Sequence, residues 1–91
     1  MAGDVRLTQL ARILGIPSDS DEAAVKAAAS ASPERLAEAL FHEAADSDDV
    51  IDVESAVAYL GARMEYLAAF LANDAKSAVR TEFNERLKAW E

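Results

Sequence analysis

The sequence predicts an all-α protein, a small bundle of four or five helices with a long, largely apolar fourth helix. Three observations carry that prediction. Apolar residues recur at helical spacing along nearly the whole chain, no run alternates apolar and polar residues as a half-buried strand does, and the pattern breaks where helix caps stand. At 91 residues the chain suits a single helical domain with one modest core. That size is near the range in which helical chains gain stability by pairing with a copy of themselves.

Helix one is expected over 4–14, where Leu7, Leu10, Ala11 and Leu14 form one stripe that Gly15 and Pro17 then stop. Ser18, Asp19 and Ser20 are all suitable N-caps, and Glu22 follows Asp19 at capping-box spacing. Helix two is therefore expected over 20–30, with Glu22 and Lys26 paired at i, i+4. Helix three is expected over 33–45: Ser32 caps it, Pro33 needs no N–H at the first helical position, and Glu34 complements the dipole. Its buried face is Leu36, Ala37, Leu40, Phe41 and Ala44.

After the acidic run Asp46 to Asp49, only Gly61 interrupts a helical pattern that reaches the end of the chain. Val53, Val57, Leu60, Met64, Leu67 and Leu71 share one sector of a straight wheel, whereas Val79, Phe83, Leu87 and Trp90 share another roughly 110° away. Two sectors mean two sets of neighbours. Asn73 tolerates left-handed geometry and Asp74 is a good N-cap, so a kink, a break or a right-handed drift is expected there, a break by preference, dividing helix four (50–72) from helix five (74–90).

Composition narrows the possible functions. A chain that is 52% hydrophobic and 29% charged folds rather than staying disordered. It has no cysteine, which removes disulfides, thiolate zinc sites and cysteine nucleophiles and suits a reducing cytosol. The first residues lack the basic leader and apolar core of a secretory signal, so a cytoplasmic location is expected.

The net charge of −8 is concentrated in the middle. Residues 19–54 hold eleven acids against Lys26 and Arg35, a balance that repels phosphate backbones and suits a basic protein surface. Asp46, Asp48, Asp49 and Asp52 are the residues expected to steer such a partner.

LTQLARILGI resembles the first helix and turn of a helix-turn-helix, with Ala11 four residues before Gly15. That resemblance implies a nucleic-acid-binding regulator, with Arg6, Gln9 and Arg12 on helix one as the contacts. The next helix departs from the pattern, since Asp19, Asp21 and Glu22 open it where bases and phosphates would be met. LGIPSDSDEAAVKAA is also similar to the opening of a J-domain, but the basic helix and the His-Pro-Asp turn of that family are missing. The Leu-Gly-hydrophobe-Pro turn is similar to one in the tails of phage capsid proteases. Punctuation between two helices is the reading left for this stretch.

Other chemistry finds little support. Gly15 stands alone among acids where a phosphate cradle needs several glycines and a lysine. DSDDVID lacks the glycine of a calcium loop and puts Val50 at a ligand position. His42 is the only histidine and has no nucleophile or metal partner at a useful spacing, so no enzyme, cofactor or metal site is expected.

Between Val53 and Ala72 the only polar residues are Glu54, Ser55, Arg63 and Glu65, so this helix is apolar on several sides. Arg63 and Glu65 near its middle argue against a membrane span. Either helix five folds back on it or another chain covers it. The expected function is thus a non-enzymatic, acidic, helical protein–protein interaction module, an adaptor, assembly factor or inhibitor that associates with itself as a homodimer and with a basic or apolar protein surface. Tyr59, Tyr66, Phe70, Phe83, Leu87 and Trp90 are its expected interface anchors.

Overall fold

The computed structural model describes the backbone of residues 4–90 and the side chains of residues 4–89. Five α-helices follow one another without a strand among the described residues: α1 (Val5–Leu14), α2 (Glu22–Ala31), α3 (Pro33–Asp46), α4 (Val53–Leu67) and α5 (Asn73–Trp90). One turn of 3-10 helix, Ala68–Phe70, joins the last two.

Local chemistry sets several of the boundaries, although Ser32, expected to cap α3, makes no side-chain cap bond and that helix opens on Pro33 alone. Asp4 caps α1 by accepting from the Arg6 N–H at 2.9 Å, and Asp21 caps α2 by accepting from the Ala24 N–H at 2.8 Å. The α2 cap is Asp21 rather than Asp19, so that helix starts two residues later than expected. At the other end of α1, Gly15 adopts a left-handed φ of 74°. Its N–H donates to the Arg12 carbonyl at 3.2 Å and the Ile16 N–H to the Ala11 carbonyl at 3.0 Å, which is the paired bonding of a Schellman motif. The Leu14 to Ala28 stretch is therefore a helix stop, a short turn and a new cap.

The core is one cluster drawn from every helix, and α3 lies at its centre, in contact with α1, α2, α4 and α5. Leu36, Ala37, Leu40 and Ala44 supply its buried stripe. Helix α5 turns Ala75, Val79, Phe83 and Leu87 inward at successive i, i+4 positions, and Phe83 meets Phe41 edge to face with ring centroids 5.7 Å apart.

The expected rod from Val50 to Ala72 is shorter than the sequence pattern suggests. Helix α4 ends at Leu67, Leu71 is extended at φ −125° and ψ 134°, and the Lys76 N–H returns to the Ala72 carbonyl at 3.0 Å to open α5. A straight rod cannot bury both of its apolar sectors against one core. The break at 68–72 lets it do so, since Phe70 and Leu71 are both buried, as are Val79 and Phe83 beyond them. Helix α5 then packs chiefly on α3 rather than folding back along α4. The outer face of α4 is left uncovered.

Candidate protein interface

The buried stripe of α4 is Ala56, Leu60, Met64 and Leu67, rotated slightly from the expected one, so that Val57 falls outside at 47% exposure. Opposite that stripe, Glu54, Val57, Ala58, Gly61, Ala62, Glu65 and Tyr66 are all exposed. On a wheel of about 100° per residue, Glu54, Gly61 and Glu65 lie within about 40° of one another and form the middle row. Val57 flanks that row on one side, with Ala58, Ala62 and Tyr66 on the other. A Cβ built on Gly61 would meet nothing within 4 Å, so no neighbour in this chain requires a glycine there.

The N-terminal end of this face is firmly held. Asp52 Oδ1 accepts from the Ser55 N–H at 2.8 Å, while Ser55 Oγ accepts from the Asp52 and Ile51 N–H groups at 3.0 and 2.9 Å. This capping box keeps the Asp52 carboxyl below its ordinary pKa of 3.8, through the bond from the Ser55 N–H first and that from its hydroxyl second. Val50 is buried next door, and Ile51 points outward at 82% exposure. Of the four large hydrophobics exposed among the described residues, Ile51, Val57 and Tyr66 belong to this face or its edge, the fourth being Val5.

At the C-terminal end, Arg6 from α1 closes the helix. Its Nη1 donates to the Tyr66 carbonyl at 3.0 Å, its Nε and Nη2 hold both Asp4 oxygens at 3.1 and 2.7 Å, and its guanidinium carbon lies 5.3 Å from the Tyr66 ring centre and 5.1 Å from that of Phe70. The Arg63 guanidinium lies 4.9 Å from the same Tyr66 ring. The side-chain bond between Arg6 and Asp4 lowers the carboxyl pKa and raises that of the guanidinium.

The expected anchors are thus divided by the fold. Tyr66 is 42% exposed, whereas Tyr59 is half-buried and donates its phenol to Glu43 Oε1 at 3.1 Å, tying α4 to α3. Burial first, and the bond to Glu43 second, push the Tyr59 phenol above its ordinary pKa of 10.0. Phe70, Phe83 and Leu87 lie in the core of their own chain, where helical periodicity alone could not distinguish them from surface anchors. The Trp90 side chain lies outside the described ones. Asp46, Asp48, Asp49 and Asp52 are all exposed around the α3–α4 connection, Asp52 being also the helix cap.

What sequence reasoning missed is the row Glu54, Gly61, Glu65 with its neighbours Val57, Ala58 and Ala62. Gly61 was the available signal, a helix-interior glycine amid strong helix formers.

Elsewhere the surface offers less. A shallow depression between α3 and α5 is lined by Glu38, Phe41, His42, Arg86 and Ala89, and its Arg86 already pairs with Glu38 at 3.8 Å and Glu82 at 3.4 Å. Among the described residues no group of three or more histidines and carboxylates is placed to hold a metal, and no helix is long and apolar enough to cross a membrane. The fold is an all-α bundle in which α4 exposes a partly apolar outer face among the described residues. No family model matches the chain, and no curated protein or solved structure is significantly similar to it.

Proposed function

We propose that this chain is a non-enzymatic protein–protein interaction module, an acidic helical adaptor, assembly factor or inhibitor, that docks through the outer face of α4. The observation carrying this reading is the exposure of Val57, Ala58, Gly61, Ala62 and Tyr66 along one helix, beside Ile51 at its start. Such a face gains free energy on burial and suits contact with another polypeptide. The acids around it fit steering rather than folding. Asp46 in particular stands in the last turn of α3, where the helix dipole disfavours a negative charge.

Self-association is a second reading with its own support. Ala58, Ala62 and Ala69 are small and exposed, which lets two helix backbones approach closely. Nucleic-acid binding through helix one draws less support, because the Arg6 guanidinium is bonded to Asp4 and to the Tyr66 carbonyl.

Photo-crosslinking in living cells tests the interaction reading. A crosslinking amino acid at Ala62 is expected to yield discrete protein adducts, while the same group at Lys88 on α5 is not. Equal yields at the two positions, or none at Ala62, would refute it.

A further inference from the structure

We infer that the partner seated on the outer face of α4 is a cationic amphipathic helix that crosses close to Gly61. This rests on the interaction reading and names the occupant of that surface. Charge is the first argument. Glu54 and Glu65 run down the middle of the face, and neither has an ion-pair partner among the described residues, although five such pairs form elsewhere. The nearby Asp48 and Asp49 are also exposed and unpaired among the described residues, so every uncompensated charge at that end of the face is negative. A second copy of this chain would bring another −8 and the same acidic row against it. A helix bearing lysine or arginine would neutralise the row instead.

Glycine is the second, independent argument. A glycine inside an α-helix is less stable than an alanine, and it is kept where a backbone or ligand must come close. Nothing in this chain approaches Gly61. A helix from outside the chain can therefore pass close to Gly61 without a clash, and Ala58 and Ala62 beside it widen the space. Spacing then specifies the guest. Glu54 and Glu65 are eleven residues apart, about 16 Å along the axis, so the complementary helix carries cations about three turns apart with small apolar residues between them.

The test uses the full chain and a synthetic peptide of about 18 residues, long enough to span about 27 Å. The peptide has a leucine and alanine stripe at helical spacing and lysines flanking it eleven positions apart. Saturable binding is expected, with amide shifts in the NMR spectrum confined to α4 and the α3–α4 connection. Gly61→Leu and the double variant Glu54→Gln/Glu65→Gln are each expected to weaken binding about tenfold. Neutralising Asp19 and Glu22 at the start of α2 should leave it within about twofold.

Equal weakening by the α2 variants, or shifts spread over the whole chain, would mean diffuse attraction between opposite charges and would overturn the inference. So would failure of the peptide to bind. If sedimentation then shows a dimer that Gly61→Leu dissociates, the face belongs to a second copy and the interaction reading survives without the cationic guest. That reading falls if the crosslinker at Ala62 captures no protein, or no more than the one at Lys88.

Discussion

Two glycines in one chain should respond to alanine with opposite signs. At Gly15 the backbone is left-handed, which costs an L-residue about 1–2 kcal/mol. Its new Cβ would also come within 2.6 Å of Arg35 Nη1, the donor that holds the Leu14 carbonyl at 3.2 Å. Arg35 can swing away, but the lost bond adds about 0.5–1.5 kcal/mol. The stiffer unfolded chain returns about 0.4–1 kcal/mol, so Gly15→Ala should destabilise by about 2 kcal/mol net. Gly61 is helical with open space around it, and alanine there should stabilise by about 0.5–1 kcal/mol.

The separation of about 2–3 kcal/mol is readily measured by urea unfolding followed by circular dichroism, with an unchanged dependence on denaturant. For 91 residues it corresponds to roughly 10–15 °C between the two melting temperatures. In an Arg35→Ala background the Gly15→Ala cost should fall to the backbone strain less the return from the stiffer unfolded chain. Shifts of the same sign at both positions would refute the argument, since it derives both signs from local geometry.

The other predictions concern packing and titration. Phe83→Ala should cost about 3–5 kcal/mol in the same unfolding assay because that ring is wholly buried against Phe41, whereas Val57→Ala on the open face should stay within about 0.5 kcal/mol. The stability difference between the wild type and Asp52→Ala should be full near neutral pH and shrink as pH falls below 3.8, because a lowered carboxyl pKa stabilises the fold above its unfolded value and loses that effect on protonation; unfolding at a series of pH values checks it. In Tyr66→Phe the one remaining tyrosine should ionise above 10.0 by absorbance, its stabilising effect present below that pH and lost as pH rises through the folded value. Adding Glu43→Gln should bring it only part of the way back, because burial is the larger cause.

The sequence was most informative where structure is set locally. Pro33 after Ser32, the Gly15 stop and the spacing of Val79, Phe83 and Leu87 each express a rule confined to a few neighbouring residues, and helices α1, α3 and α5 lie within a few residues of expectation. The end of α4 was misplaced for the opposite reason. The donor that meets the Tyr66 carbonyl there is Arg6, sixty residues away in the chain, and no local pattern encodes that pairing. The anchors on Phe83 and Leu87 failed similarly, because an aromatic stripe has the same periodicity whether it faces its own core or a partner. Only the placement of α3 between α4 and α5 settles which.

The acidic middle of the chain can be resolved further once its structural duties are removed. Asp21 and Asp52 cap helices, and Glu38 and Glu43 pair with Arg86 and Arg63. Among those left, Asp46, Asp48, Asp49 and Glu54 run from the end of α3 through the connection to the first turn of α4, with Asp49 and Glu54 beside the exposed Ile51. A diffuse compositional excess thereby becomes a local field at one end of one face. A field of that kind acts on encounter more than on the final complex. Replacing Asp46, Asp48 and Asp49 together with asparagine should therefore slow association of the cationic peptide and flatten its salt dependence while leaving the dissociation rate nearly unchanged. Gly61→Leu should do the reverse, chiefly speeding dissociation, because it removes close packing rather than long-range attraction. Stopped-flow measurements over a range of ionic strength separate the two, and a change in dissociation alone from the aspartate variant would show that those acids touch the partner rather than steer it.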